Sequence, residues 1–216
     1  MTDTVLIPGG RDVRATLDTA ASDGSRGESG GAPRAETVVV ACAPHPQQRG
    51  HRGDERLTAA SDALTDRGVD CLRFDYGDWD EGYGETTDAD AAVGWALDRY
   101  DRVGLFGFSF GGTVALVAAA SRPELAGVCA LAPTARLNPD VDAVAALDEV
   151  VTRDVPARIL YATRDSTADW EPVVERAEEL SVETVAFDSD HFFVGRTAKV
   201  GEAVAAFFGP LLGDDL

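Results

Sequence analysis

Gly107-Phe108-Ser109-Phe110-Gly111-Gly112 sets one hydroxyl in a glycine-flanked turn, the pattern G-x-S-x-G. An alcohol attacks a carbonyl near neutral pH only when a base takes its proton and an acid orients that base. His191, in Asp188-Ser189-Asp190-His191-Phe192-Phe193, is the only histidine that follows Ser109. Asp165 closes the stretch RILYATRD and lies between the two. Ser109, Asp165 and His191 thus offer a nucleophile, an orienting acid and a base, which is the chemistry of acyl transfer. Asp169 is a competing acid, read instead as the cap of the helix that follows it. Asp190 adjoins the histidine and would reach its ring poorly. The Phe110 N–H, opening a helix, can face a developing oxyanion. The stretch is not a P-loop, since no G-K-[ST] follows, and it does not fit G-x-G-x-x-G.

These groups need strands that end near one another. Thr37–Ala43 is a continuous apolar run, as expected of a strand covered on both faces. Strands follow at Cys71–Phe74, Val103–Phe108, Gly127–Ala132, Arg158–Ala162 and Thr184–Phe187. Helices alternate with them at Glu55–Arg67, Asp88–Tyr100, Gly111–Ser121, 141–152, Asp169–Leu180 and Thr197–Phe208. Gly68 stands where a helix-ending glycine belongs. Thr4–Ile7 and Val13–Thr19 read as a hairpin around Pro8-Gly9-Gly10. The rhythm specifies an α/β fold: a mostly parallel eight-stranded sheet with helices on both faces and no cap domain. Residues 21–35 are expected to form a flexible glycine-rich loop within one domain spanning 1–216. Ligands of such folds sit beyond the carboxyl ends of the strands.

Nineteen basic residues against thirty-eight acidic ones give a net charge of −19 over 216 residues. That charge argues against nucleic acid and against an anionic membrane surface as partners. The acidic start Met1-Thr2-Asp3-Thr4 leads into no signal-peptide core, so a cytoplasmic location is expected. Only Lys199 is a lysine; the other basic residues are arginine. The acid excess suggests a protein of a salt-rich cytoplasm, as in a halophile, because salt screens self-repulsion. Cys42, Cys71 and Cys129 sit in apolar segments without C-x-x-C spacing and read as small buried hydrophobes. No histidine pair has metal-ligand spacing, so no histidine metal site is expected, and the serine chemistry calls for no cofactor. Asp75, Asp78, Asp80, Glu81, Glu85, Asp88 and Asp90 read as a solvated face rather than a cation site.

Four stretches, APHP, RFDYGDWDEGYGE, GFSFGG and DHFFVGR, resemble the small lidless α/β hydrolases, the dienelactone-hydrolase-like and esterase group, over about residues 37–208. The order Ser109, Asp165, His191 is that of the α/β-hydrolase triad. The resemblance implies a serine hydrolase, and residues 133–157, with room for one short helix and no lid, suggest an open site for small soluble carboxylic esters or thioesters. The resemblance also implies a second oxyanion donor at the Gln47 N–H. Relatives commonly carry a Gly-Gly pair shortly after the His-Pro; here Gln47-Gln48-Arg49-Gly50 follows. Dienelactone hydrolases proper have a cysteine nucleophile where this chain has serine, so the lactone activity is not carried over. His45 is expected to shape the oxyanion loop and, with Trp79 and Tyr83, to line the substrate entrance. His51 is read as an exposed loop residue. An acyltransferase on the same triad, or a binding protein that keeps the fold, is the alternative. The sequence leaves the oligomeric state open.

Overall fold

The computed structural model describes residues 2–9, 11–21 and 36–213. Most of the glycine-rich stretch expected at 21–35 lies outside them. Eight strands form one sheet: β1 (Thr2–Ile7), β2 (Val13–Asp18), β3 (Thr37–Cys42), β4 (Asp70–Asp75), β5 (Arg102–Phe108), β6 (Gly127–Leu131), β7 (Ala157–Ala162) and β8 (Glu183–Phe187). Their spatial order is β1-β2-β4-β3-β5-β6-β7-β8. The β1–β2 hairpin is antiparallel and joins β4 antiparallel; every pairing from β4 to β8 is parallel. Six helices complete the fold: α1 (Glu55–Thr65), α2 (Tyr83–Leu97), α3 (Phe110–Ala119), α4 (Ala143–Thr152), α5 (Glu171–Glu179) and α6 (Thr197–Leu212).

The uniform apolarity of the central strands follows from burial on both sides. All six residues of β3 are buried. Val38, Val40 and Cys42 meet the layer of α2, α3, α4 and α5. Val39 and Ala41 meet the layer of α1 and α6. Pleating thus sends alternate side chains into two separate cores. Burying a Val or Leu side chain in either core contributes about 1.5–3 kcal/mol. Cys42 belongs to the first core, Cys71 and Cys129 to the second, and all three are free thiols without solvent exposure.

Gly68, at φ +79°, ends α1 as expected: its N–H donates to the Thr65 carbonyl and the Val69 N–H to the Leu64 carbonyl. Other boundaries differ from the sequence reading. α2 begins at Tyr83, not Asp88, because the Glu85 carboxylate turns back to accept the Gly82 N–H at 2.8 Å and the Asp80 N–H at 2.9 Å. α6 runs past Pro210 to Leu212, since Leu212 is buried in the second core and Leu211 packs against it. Asp169 does not cap α5; Trp170 precedes the helix, and the Asp169 backbone instead receives the Ala135 N–H at 2.7 Å. The acidic stretch is not uniformly solvated either. Glu85 and Asp88 are fully buried. Asp88 accepts from the Arg11 guanidinium at 2.7 Å and from the Gly77 N–H at 2.9 Å, so its burial is compensated by donors.

The link from β6 to β7 holds one helix, α4, and no cap. No helix among the described residues is long and apolar enough to cross a membrane.

Candidate active site

Ser109 sits between β5 and α3 with φ 56° and ψ −121°, a conformation that costs a non-glycine residue about 1–3 kcal/mol. Its neighbours hold it there. The Ser109 N–H donates to the Leu131 carbonyl of β6 at 2.8 Å, and its own carbonyl accepts from the Gly112 N–H at 2.8 Å. The glycines are steric requirements. A Cβ on Gly107 would overlap the Gly111 carbonyl, and one on Gly111 would overlap the carbonyl oxygens of Cys42 and Ala43. The turn therefore lifts the hydroxyl while the chain packs backbone on backbone beneath it.

His191 follows the last strand. Its Nε2 is 2.9 Å from Ser109 Oγ, and its Nδ1 is 2.6 Å from Asp165 Oδ2. The Asp165 side chain has no solvent exposure and that of His191 has 5%. The other carboxylate oxygen of Asp165 accepts the Thr167 N–H at 2.8 Å and the Ala168 N–H at 3.1 Å. Trp170 Nε1 donates to the Asp165 carbonyl at 3.2 Å while its ring stacks on Tyr161 at 4.8 Å. The acid is thus fixed from several directions, and with Nδ1 carrying the proton, Nε2 is free to accept one from the hydroxyl. Asp190 does not compete, since its carboxylate receives the Phe192 N–H at 3.1 Å. Phe108 packs 5.2 Å from the imidazole.

Phe110 is the first residue of α3, so its N–H has no acceptor within that helix. The Gln47 N–H lies within a single turn of 3-10 helix, Pro46–Gln48, and points at His45 Nδ1 over 3.3 Å. With Nδ1 accepting, the His45 proton sits on Nε2. Burial holds this imidazole below the usual histidine pKa, and the nearby Glu85 charge opposes that shift. His45 stacks on Trp79 at 4.7 Å and lies 5.0 Å from Phe110.

A cleft of about 190 Å³ opens beside Ser109 and His191, with His45, Arg49, Arg56 and Phe192 among its walls. Two residues expected at the entrance do not reach its walls. Trp79 stands behind His45 and packs on the core. Tyr83 is carried away by the early start of α2, and its hydroxyl donates to Asp140 at 3.0 Å. His51 is exposed, its Nδ1 accepting the Gly53 N–H at 3.0 Å. Arg49 and Arg56 line the cleft without having been singled out in the sequence. A larger cleft of about 550 Å³ lies around Tyr76 and Gly77, but its Arg11 and Arg14 already hold Asp88 and Asp12.

Comparison with known proteins gives the same architecture. The chain is similar to XC6422 from Xanthomonas campestris, described as an a/b serine hydrolase without lid, with TM-score 0.79 and 22% identity over 100% of this chain and 97% of that one. It is similar to Est1E from Butyrivibrio proteoclasticus, with TM-score 0.77 and 19% identity over 97% and 98%. A dienelactone hydrolase from Anabaena variabilis matches with TM-score 0.74 and 21% identity over 98% of each chain. The family model of X-Pro dipeptidyl-peptidase (S15 family) matches residues 74–145, a segment that contains Ser109 but neither Asp165 nor His191. An uncharacterized protein of Rickettsia prowazekii, RP471, is 25% identical over 185 residues, 77% of this chain and 76% of that protein. The fold is that of the α/β hydrolases without a cap domain.

Proposed function

We propose that this chain is a serine hydrolase of short carboxylic esters or thioesters. The observation that carries the reading is the unbroken relay from Ser109 Oγ through His191 to the Asp165 carboxylate, at 2.9 and 2.6 Å. Ser109 attacks the carbonyl carbon while His191 Nε2 takes its proton. Asp165 keeps the imidazole in the tautomer that can accept and stabilises the imidazolium that forms. The oxyanion is bound by the Phe110 N–H and, in exchange for its long bond to His45, by the Gln47 N–H. His191 then protonates the leaving group. Water, deprotonated by the same imidazole, releases the acyl group and regenerates the serine. No step calls on a cofactor. The small cleft and the single helix between β6 and β7 favour small substrates and free access of water. Water as acceptor therefore fits better than a dedicated acyl acceptor.

The test is labelling by an active-site phosphonate: the wild-type chain takes one adduct and Ser109→Ala takes none. An unlabelled wild type, folded in both low and molar salt, overturns the reading.

Salt sets the assay conditions. The acid excess repels itself across the surface in dilute buffer, and at 1 M salt the screening length shrinks to about 3 Å. Surface ion pairs such as Arg67–Glu202 and Arg122–Asp90 weaken too, but exposed pairs contribute only about 0–1 kcal/mol each. The unfolding midpoint is therefore expected to rise from low to molar salt; a steady fall would contradict adaptation to a salt-rich cytoplasm.

The segment 22–35 should not matter to turnover. β2 reaches its end at Asp18, opposite Cys71 at the start of β4, and the Ala20 N–H is held by Asp70 at 2.9 Å. β3 begins at Thr37, opposite Arg102 at the start of β5. Both strand ends lie at the end of the sheet opposite Ser109. Replacing 22–35 by a short glycine-serine linker should leave ester turnover unchanged. A large loss in a stably folded variant would overturn that placement.

A further inference from the structure

The cleft beside Ser109 carries a positive charge that the rest of this acidic chain does not explain. Arg11, Arg52, Arg73, Arg122 and Arg176 each hold a carboxylate. So does Arg56 in the cleft wall. Its guanidinium binds Asp54 at 2.6 Å, donates to the Phe192 carbonyl at 3.3 Å and lies 4.7 Å over the Phe108 ring. Arg56 is therefore a fixed wall whose charge Asp54 cancels. Arg49 differs. It lines the same cleft, is exposed, and makes no ion pair with any described residue. It also stands at φ 65° and ψ 19°, a left-handed conformation that glycine adopts freely and arginine does not. The backbone there would favour glycine, yet the position holds a long cation among the residues that line the nucleophile's cleft. His45 adds no charge at neutral pH, because burial depresses its protonation. The polar walls of the cleft thus leave one guanidinium unmatched.

We propose that Arg49 binds a carboxylate of the substrate, so that the esters hydrolysed here carry a second, ionised acid group a few atoms from the scissile bond. A guanidinium offers two parallel N–H donors to a carboxylate, a geometry that an ammonium cannot copy. The small volume of the cleft keeps the two groups close. The inference rests on the serine-hydrolase reading and adds the substrate class.

Two matched pairs of esters test it at molar salt, where long-range repulsion by the acidic surface is screened. One pair is 4-nitrophenyl hemisuccinate against 4-nitrophenyl butanoate, with the carboxylate on the acyl side. The other is 4-acetoxybenzoate against phenyl acetate, with the carboxylate on the leaving side. Wild type should prefer the anionic member of at least one pair in kcat/KM. In Arg49→Gly that preference should fall about five- to tenfold, through KM of the anionic ester rather than kcat. Arg49→Lys should retain part of it. Glycine suits the left-handed backbone, so loss of folding is not an expected complication. A wild type that turns over the neutral esters without preferring either anion, or an Arg49→Gly variant that keeps the wild-type preference, overturns this inference and leaves the hydrolase reading standing. A folded wild type that neither hydrolyses any of the esters nor takes the phosphonate label overturns both.

Discussion

Replacing Ser109 by alanine is expected to lower kcat on a short ester by about 10⁶-fold, the scale of losing the nucleophile from a triad that acts as a unit. The effect should be confined to chemistry. Alanine keeps the Cβ that already stands at φ 56°, and the backbone bonds from Ser109 to Leu131 and from Gly112 to Ser109 do not involve the hydroxyl. Among the described residues, the hydroxyl contact removed is that with His191 Nε2, in the cleft. Unfolding midpoint and circular dichroism should therefore match wild type while turnover and phosphonate labelling vanish. A variant that retains a tenth of wild-type turnover would remove Ser109 from the reaction.

The second large effect is expected at Asp165. Asparagine has nearly the same shape, and its amide oxygen can still accept the Thr167 and Ala168 N–H groups that fix the turn. Its NH₂ would face His191 Nδ1, so the imidazole would carry its proton on Nε2, on the side of the serine. The base is then in the wrong tautomer, and kcat should fall by about 10⁴-fold with the fold preserved. KM should change little, because Asp165 is screened from the cleft by His191. Near-normal turnover in Asp165→Asn would mean that another group orients the histidine. Asp169 is not placed to do so, since its backbone is tied to the β6–α4 connection through Ala135.

The sheet was largely legible in the sequence because burial on both faces leaves no polar residue in β6 and none in β3 after Thr37. The relay was legible for a related reason. Each of its three groups follows a strand in such a sheet, so chain order alone brings them to one edge. What escaped was set by contacts distant in sequence. The start of α2 depended on Glu85 folding back onto Gly82, in a stretch whose glycines read as loop. The burial of Asp88 depended on Arg11, seventy-seven residues away. Average acidity described the surface correctly and these two carboxylates wrongly, because composition carries no record of which charge has a partner. Asp169 has the side chain of a helix cap but not the backbone position of one. Arg49 was the subtlest case. Its signal was an arginine between Gln48 and Gly50, and its meaning depends on the left-handed turn it occupies and the cleft beside it.

The three thiols sealed in the two cores have a practical consequence. Burial holds Cys71 and Cys129 at pKa values of about 12 and pushes Cys42 higher still. Thiolate is the reactive form, so a disulfide reagent should meet almost none in the native state. Reaction must wait until the chain opens, and its rate then counts openings. The protein thus contains its own clock for unfolding, readable across salt concentrations with no substrate present. An inactive sample can then be recognised as one that has come apart or as one that is intact and idle.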